Sequence, residues 1–205
     1  MQIIKKMRKI SLFAFTLLML LCTTTAIAAD NGKKILDKAS EKIAISKGFT
    51  ANFSISGGKL NNSGTISVKG DKFCARVSNA IMWYDGKTQW VYNKKSEEVN
   101  VSHPNASAQQ SMNPYNFLTL YKKGYTITSS NAASGTQVHL VGKGKSISEM
   151  YILVDKNYNI KEVKFLQKGT WVTIHISNLK NQTLDNSVFT FNAKEFPQAE
   201  IIDMR

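Results

Sequence analysis

The 205-residue chain contains only two cysteines, three prolines and three histidines. Two thiols exclude a disulfide framework, and so few prolines exclude collagen-like and proline-rich architectures. No heptad pattern is sustained, which removes the coiled coils. The longest apolar run, Ile10 to Leu21, falls short of the roughly 20 residues that span a bilayer as a helix. Acidic residues are scarce as well: 14 Asp and Glu stand against 27 Lys and Arg, for a formal charge of +13. With 42% apolar and 20% charged residues, what remains is an ordinary globular domain with a basic bias.

The short apolar run reads as part of an address. Lys5, Lys6, Arg8 and Lys9 precede it, threonines follow, and Ala26-Ile27-Ala28 places small residues at both positions a signal peptidase reads. Residues 1–28 are therefore expected to be a cleaved secretory signal, and 29–205 a single domain in the periplasm. An uncleaved anchor is a weaker reading. So is lipid attachment to Cys22, because Leu21 stands where a lipoprotein signal wants a small residue. Cleavage removes four cations and lowers the charge from +13 to +9. It leaves Cys74 as the one thiol, so no intramolecular disulfide forms, and the alternation around Cys74 makes it a small core residue.

Beyond the signal, Ile35, Leu36, Ala39, Ile43 and Ala44 recur at helical spacing, predicting a helix over 31–45 with Asp30 and Asn31 as caps. Phe49 to Ile55 then alternates strictly, the mark of a half-buried strand. Similar segments follow at 64–69, 72–78, 81–84, 89–93 and 98–103, with Asp85-Gly86 as a hairpin turn. Asn113-Pro114 opens a second helix rich in apolar residues (Tyr115, Phe117, Leu118, Leu120, Tyr121) that ends at Gly124. Strands resume at 125–129, 136–141, 150–155, 160–166 and 171–177, and a last apolar segment, 189–191, precedes the tail 200–204. The predicted fold is mainly β (α+β): an open, curved antiparallel sheet or incomplete barrel of about ten or eleven strands, covered by two short helices.

Catalytic chemistry is hard to find. His139 and His175 alternate away from apolar neighbours and are expected to face water, and His103 begins a loop. No pair has metal-ligand spacing, and one thiol cannot build a zinc site. Asp71, Asp85, Asp155 and Asp185 sit at turns, where a carboxylate bonds local backbone. Gly144-Lys145-Ser146 lacks the earlier glycine of a phosphate loop and joins two strands instead of opening a helix. No catalytic residue, metal or cofactor is therefore expected. The cations left after cleavage, all lysines but for Arg76 and Arg205, are scattered and form no patch for nucleic acid. They suit solubility, anionic lipid headgroups or an acidic partner.

Two stretches carry a family likeness: Gly64-Thr65-Ile66-Ser67-Val68-Lys69 through Phe73, and Trp83-Tyr84-Asp85-Gly86-Lys87-Thr88-Gln89-Trp90-Val91-Tyr92-Asn93. Together with the Asn113-Pro114-Tyr115 helix onset, Phe189-Thr190-Phe191, Pro197 and Ile201-Ile202-Asp203, the chain resembles the LolA family of periplasmic lipoprotein carriers. The resemblance implies a curved sheet lidded by helices around an apolar cavity for acyl chains, with no cofactor. It also implies cargo of acylated lipoprotein, received from an inner-membrane lipoprotein transporter and passed to an outer-membrane acceptor. Where the family has an arginine-proline pair that bonds the lid, this chain has Gly70-Asp71, so the latch is missing, moved to Lys69 or replaced.

Alternation, read with that resemblance, puts Phe53, Ile55, Ile66, Val68, Phe73, Ala75, Trp83, Trp90 and Tyr92 inward as cavity candidates. Leu36 on the first helix and Phe117, Leu118 and Tyr121 on the second would form the lid. Ordinary core packing explains each as well as ligand contact does. A monomeric carrier is the first reading. A binding or sensing module for another hydrophobic ligand or a protein partner is the second, and a periplasmic enzyme the third.

Overall fold

The computed structural model describes residues 23–44, 47–105 and 120–205. One helix, α1 (Thr23–Ala44), precedes a first run of strands: β1 (Phe49–Gly57), β2 (Leu60–Lys69), β3 (Lys72–Val77), β4 (Ala80–Tyr84), β5 (Gln89–Asn93) and β6 (Glu98–Ser102). A second run comprises β7 (Thr126–Ala132), β8 (Gly135–Val141), β9 (Ile147–Val154), β10 (Ile160–Gln167) and β11 (Thr170–Asn181). Two 3-10 turns, Asn186–Phe189 and Ala193–Glu195, lead to β12 (Glu200–Asp203).

The strands form a single open, curved sheet in the order β12-β6-β5-β4-β3-β2-β1-β11-β10-β9-β8-β7. Each run is a meander of antiparallel hairpins, and the two are zipped together by antiparallel pairing of β1 with β11, where Phe53 faces Ile176 and Ile55 faces Ile174. Short turns fix the register. At the β2–β3 hairpin, Lys69 pairs with Lys72, and Gly70 takes the turn with a φ of 60°. A side chain at Gly70 would meet nothing, so backbone conformation rather than space selects glycine. At Asp85-Gly86 the Asp85 carboxylate accepts from the backbone N–H of Lys87 (2.9 Å) and Thr88 (2.7 Å), closing the turn that the sequence signals.

Strand count and helices differ from the expectation. Among the described residues there are twelve strands, and the last, β12, pairs parallel to β6, with Ile201 opposite Val99. The apolar segment 189–191 belongs to the first 3-10 turn and its exit, not to a strand. Helix α1 starts at Thr23, eight residues before the predicted start, so Asp30 and Asn31 lie within it and do not cap it. Ala26, Ala28 and Ala29 are strong helix formers and extend it backwards through the predicted cleavage site. Most of the second predicted helix lies outside the described residues, as do the lid candidates Phe117 and Leu118.

Three apolar clusters hold the sheet. On one face, which we call inner, Leu36 and Ala39 of α1 are fully buried against Val138, Leu140, Met150 and Ile152 of β8 and β9. Gly32 lets the helix lie close, since a Cβ there would stand 3.0 Å from Ile127 and 3.3 Å from Val138. A second inner cluster, Phe49, Ala51, Val68, Phe73 and Tyr84, occupies β1 to β4. The third lies on the outer face, where Cys74, Ile81 and Trp83 are covered by Leu184 and Phe189 of the C-terminal segment.

Candidate functional site

Between the two inner clusters lies a cavity of about 370 Å³. Strand β1 contributes Phe49, Ala51, Phe53 and Ile55, and β11 contributes Ile174 and Ile176 from across the seam. Ile66 and Val68 of β2, Phe73 and Ala75 of β3, and Met82 of β4 extend the wall. Ile160 and Leu179 complete the sheet side, and Ile43 at the end of α1 closes over it. None of these side chains is polar. Such a lining cannot stabilise charge or direct a proton, but it favours any hydrocarbon that would otherwise face water.

The cavity brings together six of the predicted residues: Phe53, Ile55, Ile66, Val68, Phe73 and Ala75. Trp83, Trp90 and Tyr92 are not among them. Trp83 pairs with Cys74 and with Trp90, and Tyr92 with Ile81, so all three point to the outer face. Strand β4 is apolar on both sides, and alternation alone does not say which side is inward; Met82 and Tyr84 take the inner one. Outside, Phe196 stands edge-on to Trp83 at 5.6 Å and lies 4.7 Å from Tyr92, while Phe191 packs edge-on to Trp83 at 5.6 Å. Cys74 is buried in this cluster, and burial pushes its thiol above the ordinary range, consistent with an inert core residue.

Lys69 does not reach the helix. Val68 faces inward, so Lys69 faces outward, where its ammonium donates to the Leu184 carbonyl (2.7 Å) and the Asn186 side-chain oxygen (3.4 Å). Among the described residues it fastens the C-terminal segment. The helix is held by other groups. Lys42 donates to the Asn157 carbonyl (2.9 Å) and to Asn159 Oδ1 (2.6 Å), and Lys38 to the Tyr158 hydroxyl (3.1 Å). Asp155 organises that turn by accepting from the Asn157 and Asn159 N–H groups (2.8 and 2.9 Å).

Tyr121 and Leu36, both predicted for the lid, are buried in the cluster beneath α1. The Tyr121 hydroxyl donates to Asp37 of α1, which also accepts from Lys33 at 3.2 Å. Burial, then the Asp37 carboxylate, raises the Tyr121 pKa, and the Tyr121 hydrogen bond, supported by Lys33, lowers that of Asp37. Tyr121→Phe is expected to cost about 1.5 kcal/mol. Because the folded Asp37 pKa is depressed, its contribution is complete above the ordinary carboxylate range and lost as pH falls through the lowered value. Urea melts of wild type and variant should therefore converge in acid and separate at neutral pH.

His139 and His175 lie on the outer face, as alternation suggests, each beside a carboxylate: Glu149 at 2.8 Å and Glu162 at 3.1 Å. His139 also stacks on Tyr151 with ring centroids 4.3 Å apart. Among the described residues, no group of three or more His, Cys, Asp and Glu is placed to hold a metal ion. No helix among them is long and apolar enough to cross a membrane.

Sequence reasoning missed several wall residues. Phe49 and Ala51 share the alternation of Phe53 and Ile55, a signal that was present. Ile174 and Ile176 alternate visibly around His175, but nothing local places them beside β1. Ile43 carries the helical period yet gives no sign of reaching beyond its own cluster.

Residues 22–170 match the family model described as outer membrane lipoprotein carrier protein LolA. No curated protein matches the chain. Among solved structures, an uncharacterized conserved protein from Thermus thermophilus aligns at 13% identity and a TM-score of 0.58, over 84% of this chain and 99% of that one. That likeness is one of fold. A LolA superfamily protein from Nitrosomonas europaea aligns at 13% identity and a TM-score of 0.44, over 78% of this chain and 97% of its own. A putative outer membrane lipoprotein-sorting protein domain from Vibrio parahaemolyticus aligns at 11% and 0.44, over 79% and 97%. The family match spans α1 and strands β1 to β10, and so this chain belongs to the LolA family of outer membrane lipoprotein carrier proteins.

Proposed function

We propose that the chain is a non-catalytic periplasmic carrier that shelters the acyl chains of lipoproteins, or of other lipids, on their way to the outer membrane. The observation that carries this reading is the cavity, about 370 Å³ in volume and lined by apolar side chains alone. Each methylene removed from water contributes about 0.8 kcal/mol, so ten of them supply about 8 kcal/mol without any cofactor or nucleotide. Residues 1–28 direct export. Cleavage after Ala28 shortens α1 but keeps Leu36 and Ala39, which hold it to the sheet, and Ile43, which closes over the cavity. An inner-membrane transporter loads the cargo and an outer-membrane acceptor removes it.

Native mass spectrometry of the mature chain purified from its own periplasm tests this. An adduct with the mass of an acylated peptide is the expected result. A different lipid would keep the cavity and change the cargo. A clean mass, unmoved by added lipopeptide, would overturn the carrier reading in favour of a sensing module on the same fold.

A further inference from the structure

The face that lines the cavity does not end at Met82. Cross-strand pairing carries it from Met82 to Val91 of β5 and on to Asn100 of β6. In the next rank, Tyr84, which packs in the inner cluster beside Phe73, leads to Gln89 and then to Ser102. Directly opposed residues of an antiparallel pair share a face, so Gln89, Val91, Asn100 and Ser102 lie on the cavity's side of the sheet, just beyond the lining that stops at Met82. All four are half-buried. At a strand spacing of about 4.8 Å, Asn100 lies about 10 Å from Met82.

Along this path the chemistry changes from hydrocarbon to amide and hydroxyl. Ser102 Oγ donates to Gln89 Oε1 at 3.4 Å. The Asn100 amide makes no side-chain hydrogen bond among the described residues, and the Gln89 amide nitrogen is likewise unused. Among the described residues the half-buried Asn100 amide is therefore unpaired, and Gln89 keeps its amide N–H groups and one carbonyl lone pair, so that both have donor and acceptor capacity to offer a ligand. The register places no Lys or Arg on this face of β5 and β6 in a chain with 27 of them, and its one charge, Glu98 at the far rank, repels anions. A phosphate head would find no cation here.

We propose that the inner face of β5 and β6 is a headgroup subsite for the uncharged amide backbone of an acylated peptide whose chain fills the cavity. The proposal rests on the carrier reading and adds where the head lies and how it is recognised. Gln89 and Asn100 supply paired donors and acceptors, the pattern an amide presents in return.

Displacement of diphenylhexatriene, a hydrocarbon probe without a head, separates the two ideas. Wild type should release the probe at about tenfold lower N-lauroylglycinamide than dodecyl phosphate, the value of about one net hydrogen bond advantage. Replacing both amides, Gln89→Leu with Asn100→Leu, should erase that preference and leave probe uptake unchanged. Asn100→Lys, made separately, should shift the preference towards dodecyl phosphate. Equal displacement by the two amphiphiles in wild type, or a preference that survives the double substitution, would overturn the subsite while leaving the cavity intact. A wild-type protein that takes up no diphenylhexatriene would instead refute the carrier reading, and the subsite with it.

Discussion

Ala75→Phe is expected to weaken acyl-chain binding by roughly two orders of magnitude while leaving the protein folded. Ala75 lies between Ile66 and Met82 in the cross-strand ladder and faces the cavity with them. A benzyl group there takes the place of about four methylenes of cargo, each worth about 0.8 kcal/mol. The loss of about 3 kcal/mol is a roughly 200-fold fall in affinity. The new ring packs against apolar neighbours in existing space, so the thermal midpoint should change little. Titration with an acyl probe and a thermal melt read both effects. The opposite change, Ile66→Ala, enlarges the cavity: because Ile66 is only half-buried, it should cost about 1.5 kcal/mol of stability and leave binding in place. If Ala75→Phe left affinity intact, the chain would lie somewhere other than against β3.

Phe189→Ala is expected to do the reverse. Phe189 is fully buried in the outer cluster with Cys74, Ile81, Trp83 and Leu184. Truncating it leaves a void in a packed aromatic region and should cost about 4 kcal/mol. The sheet itself stands between this cluster and the cavity, so the affinity of the remaining folded protein should be unchanged. Denaturant melts followed by the fluorescence of the three tryptophans, Trp83 among them, measure the first effect, and probe titration at low denaturant measures the second. Affinity falling in step with stability would show that the two faces of the sheet act as one unit.

These two substitutions also mark where sequence reading succeeded and where it stopped. Alternation and the Asp85-Gly86 turn locate β1 and β3 to β5 to within two residues at either end, because hairpins are local and their chemistry lies within a few positions, whereas β2 begins at Leu60, four residues before its expected start. The same alternation identifies Phe53, Ile55, Ile66, Val68, Phe73 and Ala75 as one face. It fails at β4, where Ile81 and Trp83 on one side and Met82 and Tyr84 on the other are equally apolar. What decides is the C-terminal segment, whose Phe189, Phe191 and Phe196 cover the outer side from more than a hundred residues away in the chain. The partner of Lys69, the Leu184 carbonyl, likewise has no local mark in the sequence. Strand β12 is short and shows no alternation, so its parallel pairing with β6 is visible only in three dimensions.

The seam between β1 and β11 sets the moment at which the cavity comes into being. Each meander is made of neighbouring hairpins that can close early, whereas Phe53 must find Ile176 and Ile55 must find Ile174 across the whole length of both. Contacts so distant in sequence are slow to form, because loop closure is demanded before they return any stabilisation. The binding space is therefore a late product of folding, and a nascent or half-zipped chain offers two separate apolar sheets but no container. Uptake of a hydrocarbon probe should therefore follow the slow refolding phase and not precede it.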